Sequence, residues 1–237
     1  MKQESGFMKI MEEIKLGKLI VIEGTDSSGK ETQTKLLTER LEKEGKKVRK
    51  ISFPNYESPA CMPVKMYLAG EFGMDAEKVN PYPASTMYAI DRYASYKKDW
   101  GDFYNEGGII ITDRYVTSNM VHQASKIDDI DEKNSYLSWL EDLEYEKMKI
   151  PRPDVVIFLN MPTETAQELM VERKNKITGE SKKDIHENNV AYLEKSYKNA
   201  CEISEKYNWL EVKCVENKKL KTINDISDEV FTLVKDI

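Results

Sequence analysis

The chain has 237 residues, 40% apolar and 33% charged, enough apolar material for one buried core and too much for a disordered chain. Its formal net charge of −6 argues against nucleic acid as a partner, because duplex binders need a basic face to displace counterions. Cys61, Cys201 and Cys214 are widely spaced and form no C-x-x-C pair, which argues against a zinc site and fits a reducing, cytoplasmic setting; no stretch reaches the length of a membrane span.

In chain order, residues 1–16 read as an N-terminal extension. Its Phe7, Met8, Ile10, Met11 and Ile14 fall at helical spacing. Residues 17–237 read as a single domain. Lys18 to Glu23 predicts a first strand, ending in a glycine-containing loop. Thr32 to Glu44 predicts a helix with Leu36, Leu37 and Leu41 inward and Gly45 as its stop. Further strands are expected at Val48 to Phe53, Gly108 to Thr112, Asp154 to Leu159 and Leu210 to Val215, with helical segments between them. Strands this apolar are expected to be buried on both faces of a parallel sheet covered by helices, in three α/β/α layers. In such sheets ligands collect beyond the carboxyl ends of the strands. The chemically loaded residues do follow strands: Gly24 to Lys30 the first, Phe53-Pro54 the second, Asp113-Arg114 the third.

The loop Gly24-Thr25-Asp26-Ser27-Ser28-Gly29-Lys30 has the form GxxxxGK between a strand and a helix. Its backbone amides and the following helix N-terminus point donors at phosphate, and Lys30 adds a positive charge at the β- and γ-phosphates. This reads as an ATP site. The hydroxyl residue that ordinarily follows the lysine and ligates Mg²⁺ is here Glu31. Thr32 comes one place late, turned by about 100° around the helix. Glu31 can offer Mg²⁺ a carboxylate oxygen, directly or through water; its alternative is a helix-start acid favoured by the dipole.

On the acceptor side, Arg114 can hold a phosphate through two N–H bonds and Asp113 can hold Mg²⁺ or its waters. The alternative is a structural Asp113–Arg114 ion pair. Tyr88 and Arg92 are four residues apart and share a helix face, where a ring can stack on a flat heterocycle while a guanidinium bonds its edge. Phe53-Pro54 can shape a pocket wall. Residues 171–187 begin with Arg173, Lys174 and Lys176 and continue to Lys182 and Lys183. Such a basic segment can close as a lid over ATP and neutralise the transferring group.

Together IEGTDSSGKETQ (Ile22 to Gln33), FP (Phe53-Pro54), YAIDR (Tyr88 to Arg92), DRYVTSNMVHQ (Asp113 to Gln123) and the basic segment running into DIHE (Asp184 to Glu187) resemble the thymidylate kinase family. The resemblance implies a P-loop kinase fold with a parallel sheet of about five strands and a lid. It implies phosphorylation of dTMP to dTDP with ATP and Mg²⁺, in dTTP synthesis, by a homodimer. It places Asp26 near the acceptor, Tyr88 on the thymine face and Arg92 at the base edge. It puts Arg114 on the acceptor phosphate, and Ser118, Asn119, His122 and Gln123 around the nucleoside. It makes Arg173 the lid arginine and Glu187 an acid at the metal or acceptor. His122 stands where the family usually has an aromatic residue that crowds a ribose 2′-hydroxyl. Other readings are a kinase for a different nucleotide or a deoxynucleoside, and a P-loop ATPase or switch.

Overall fold

The structure, a computed structural model, describes residues 16–75, 77–176 and 190–237. Residues 1–15 of the expected N-terminal extension, and the part of the expected lid beyond Lys176 with Lys182, Lys183 and Glu187, lie outside these. Five parallel strands form one sheet in the order β2-β3-β1-β4-β5: β1 Lys18–Glu23, β2 Val48–Ser52, β3 Ile109–Asp113, β4 Val155–Asn160 and β5 Leu210–Lys213. In β1, Leu19 and Val21 enter a core with Ile110, Trp100 and Tyr136, while Ile20 and Ile22 enter another with Leu37, Leu41 and Phe231. Alternate residues of one strand thus feed two cores, and helices cover both faces.

Burial on both faces holds for the middle of the sheet and not for its edges. The edge strands β2, VRKIS, and β5, LEVK, are largely half-buried or exposed, with charged residues at the rim. Helix α1 spans Lys30–Lys43, starting two residues before the position expected from sequence, because Gly29 at φ 89 turns the loop straight into it. Its end is as expected: Gly45 at φ 78 lets its N–H reach Glu42 O, and Lys46 N–H reaches Leu41 O.

Between β2 and β4 come α2 Met62–Leu68, α3 Pro81–Ser95, α4 Gly101–Asn105, which leads into β3, and α5 Val116–His122, which follows it. Helix α6, Ile130–Glu141, runs on into a wider turn over Asp142–Lys147. Helix α7 spans Thr163–Lys176 and α8 Val190–Lys206. A two-stranded antiparallel hairpin, β6 Val215–Glu216 with β7 Lys219–Leu220, and helix α9, Ile223–Val234, complete the chain; neither was anticipated. The start of α9 is written in the sequence as a capping box. Thr222 Oγ1 accepts from Asp225 N–H at 3.1 Å and Asp225 Oδ2 accepts from Thr222 N–H at 3.3 Å.

Candidate active site

β1 delivers its last residue, Glu23, fully buried into the loop, and Gly24 N–H donates back to Glu23 Oε1 at 3.0 Å. The loop closes with Ser28 N–H to Thr25 O at 3.3 Å. Lys30 folds back and donates from Nζ to Thr25 O at 2.7 Å. Burial, then the nearby Arg114, pushes the Lys30 ammonium below the ordinary lysine range; Asp113, Asp26 and Glu23 pull the other way. Anionic phosphate would favour the charged form. Thr25 Oγ1, Ser28 Oγ and Asp113 Oδ1 are buried and have no hydrogen-bond partner among the described residues. Unspent donors around a buried lysine at a helix start fit a polyphosphate, and an unspent carboxylate oxygen at Asp113 fits the hydration shell of a Mg²⁺ ion. Glu31 and Thr32 are exposed on α1. Among the described residues no three His, Cys, Asp or Glu side chains gather into a metal cage.

A cleft of about 240 Å³ opens beside the loop. It brings together Asp26, Phe53, Pro54, Tyr88, Arg92, Arg114, Ser118, Asn119, His122 and Gln123, residues drawn from four separate segments of the sequence. It also brings in Tyr56, Leu68 and Tyr115, which sequence reasoning missed. Arg114 follows β3 with a left-handed φ of 66, rare for a residue with a side chain and typical of functional sites. Its N–H donates to Ile22 O at 3.2 Å, and its carbonyl accepts from Thr112 Oγ1 at 2.7 Å. Its side chain lies between His122, 2.9 Å from Nη1 to Nε2, and Asp26, which it pairs with directly. The arginine's ion-pair partner is therefore Asp26 in the loop and not its neighbour Asp113. The loop crosses the end of β3, so the contact is tertiary. Burial opposes the charge on Arg114, and Asp26, Glu23 and Asp113 outweigh it, so the guanidinium is held charged.

At the far end, the Tyr88 ring meets Tyr67 edge-on, 6.1 Å between centroids at 84°. Arg92 reaches the cleft, but its guanidinium is not free: Glu144 holds it through two bonds of 2.6 Å. Burial opposes the charge on Arg92 and Glu144 more than offsets it; burial likewise raises the Glu144 carboxyl against the pull of Arg92. Ser118 lines the cleft with its hydroxyl committed, since Oγ donates to Glu23 Oε2 at 2.8 Å beside Thr117 Oγ1 at 2.7 Å. Asn119 Nδ2 donates to Ser85 O at 3.4 Å, and Gln123 Oε1 is buried with no partner among the described residues. The His122 ring stacks on Tyr192, 6.5 Å between centroids at 25°.

Glu23 and Glu144 are the organising residues that sequence reasoning passed over. Each left a signal. Glu23 is an acid directly after the apolar run Leu19 to Ile22. Glu144 falls four residues after Leu140, where the inward face of α6 calls for another apolar residue. Arg173 falls within α7.

A phosphate loop after the central strand of a parallel sheet, opening into a cleft walled by arginines and aromatic rings, defines a P-loop nucleotide kinase. The thymidylate kinase family model matches residues 22–226, and the chain belongs to that family. A thymidylate kinase from Mycobacterium tuberculosis is 30% identical over 151 residues, 63% of this chain and 69% of that protein. A protein described as a probable thymidylate kinase from Thermococcus gammatolerans is 27% identical over 222 residues, 93% of this chain and 97% of the relative. A solved thymidylate kinase from Candida albicans shares the fold with a TM-score of 0.66 at 23% identity, covering 93% of this chain and 92% of that one.

Proposed function

We propose that this chain moves the γ-phosphoryl group of ATP onto thymidylate, forming thymidine diphosphate for dTTP synthesis. The observation that carries the reading is that Asp26 of the phosphate loop, Arg114, Tyr88 and Arg92 line one cleft, with the buried Lys30 in the loop that Asp26 belongs to. Phosphoryl transfer asks the protein for positioning and charge neutralisation. The loop and Lys30 hold the donor. Arg114 leaves Asp26 for the acceptor phosphate and sets it in line. An oxygen of that phosphate, already anionic, forms the new P–O bond as the bond to the β-phosphate oxygen breaks, so no base is required. Asp26 orients the acceptor. Asp113 and Glu31 are the candidate carboxylates that would hold Mg²⁺, which when bound would supply positive charge to the donor phosphates. Arg173 and its basic neighbours are assigned to the moving group, and Glu187 to the metal or acceptor, on the family pattern. A homodimer in the cytoplasm is the setting that the family suggests; no helix among the described residues is long and apolar enough to cross a membrane.

Assaying dTMP, dUMP, dCMP and thymidine side by side with ATP and Mg²⁺ tests the reading. Preference for dTMP is expected. Preference for thymidine would move the chain to nucleoside kinases, and equal ATP hydrolysis without an acceptor would make it an ATPase.

A further inference from the structure

The base end of the cleft is backed by an ion pair shut off from solvent: the side chain of Arg92 is 2% exposed and that of Glu144 0%. Arg92 Nε donates to Glu144 Oε2 and Nη2 to Oε1, both at 2.6 Å, and Nη1 donates to Tyr115 O at 3.2 Å. A guanidinium has five N–H donors. Three are committed, which leaves one on Nη1 and one on Nη2 in a side chain that lines the cleft. The two parallel bonds to Glu144 fix both the rotamer and the plane of the guanidinium. Without them, among the described residues only the Nη1 bond to Tyr115 O would hold the guanidinium.

We propose that Glu144 is a positioning residue for base selection. It clamps Arg92 so that the remaining N–H groups meet the edge of the bound base, which favours a pyrimidine with a carbonyl at position 4 and rejects one with an amino group there. This rests on Arg92 being the base-edge contact, as read above. Arg92 has donors only. A 4-carbonyl accepts from them, whereas a 4-amino group sets donor against donor in a desolvated site, the situation in which polar pockets discriminate most strongly. The competing role for the pair is a brace between α3 and the turn that follows α6.

The test uses the full chain and the variants E144Q, R92M and R92M/E144M, with kcat and KM measured for dTMP and for dCMP. Glutamine keeps the size of Glu144 and one acceptor oxygen but not the charge. The expected result for E144Q is a rise of about tenfold or more in KM for dTMP, with kcat changed by less than about threefold, and a fall of about tenfold in the dTMP-to-dCMP ratio of kcat/KM. R92M/E144M, which removes both buried charges at once, should show the same ratio as R92M, because Glu144 acts only through Arg92. If E144Q does not fold, E144D keeps the charge, shortens the reach by one methylene and reads the same ratio. An equal fall in kcat/KM for both nucleotides, with the ratio kept, makes the pair a brace and overturns the proposal. A wild-type ratio in R92M overturns the base contact itself, separately from the clamp.

Discussion

At the phosphate end of the cleft the paired side chains of Arg114 and Asp26 are 20% and 24% exposed; at the base end those of Arg92 and Glu144 are 2% and 0% exposed. Lys30, also at the phosphate end, gives its ammonium to a carbonyl of its own loop. On the proposed reading, Asp26 is a partner that incoming phosphate oxygens can replace on Arg114 with little loss, because partly solvated pairs are weak. The Arg92–Glu144 pair has no such freedom, because a desolvated charge stripped of its partner is costly. On the proposed reading, the cation that receives a charged ligand keeps a replaceable partner, and the cation that is aimed at the base keeps a permanent one.

The sharpest break in this comparison is Glu144→Ala. It strands a buried guanidinium and should destabilise the fold by about 3–5 kcal/mol, measured by urea unfolding. Lys30→Ala should lower kcat by roughly 10²–10³ while dTMP affinity, measured by calorimetry, stays near wild type; unchanged turnover would remove Lys30 from the chemistry. Glu31→Thr restores the usual hydroxyl and should shift the midpoint of the Mg²⁺ titration of activity. An unmoved midpoint would leave Glu31 as a helix-start acid. Asp26→Asn should cost the fold no more than about 1 kcal/mol, the counterpart of Glu144→Ala at the replaceable end. A larger loss would erase the distinction between the two ends.

Lys126 is a further cation, half-buried, and it sharpens the comparison because its hydrogen-bond partners are uncharged. Its Nζ donates to Tyr67 Oη at 3.0 Å and Val79 O at 3.2 Å. Burial pushes its pKa down to about 8, against the pull of Glu77 and Asp75. In the unfolded chain a lysine titrates near about 10.4. Between these values the unfolded state binds more protons, so this group's contribution to stability rises with pH from about 8 to about 10 and is flat below. Urea midpoints at pH 7.5 and 9.5 should show the rise in the wild type and a smaller one in Lys126→Met.

Much of the fold was legible because it rests on local rules. The apolar runs of β1, β3 and β4 are long enough to mark buried parallel strands, and Gly45 marks the end of α1. The capping box at Thr222 obeyed an equally local rule and was readable, yet it was passed over. The edge strands were placed but their exposure was not, since VRKIS and LEVK lack the apolar run that betrays a middle strand. In the site, the residues of the phosphate loop follow from spacing, and those of the DRYVTSNMVHQ stretch from a strand end and a family pattern. Their partners do not. Arg114 pairs with Asp26, 88 positions away, and Arg92 with Glu144, 52 positions away. Nothing in the acid-rich run LEDLEYEK marks Glu144 as the inward carboxylate except its distance from Leu140.

From its sequence alone the chain is a parallel α/β protein with a phosphate loop and the residue types of a nucleotide cleft, because strand burial, helix stops and loop donors depend on neighbours along the chain. Only the tertiary structure decided which cations stay replaceable and which are locked. That choice depends on which carboxylate the packing brings within bonding distance and on how much solvent it leaves there.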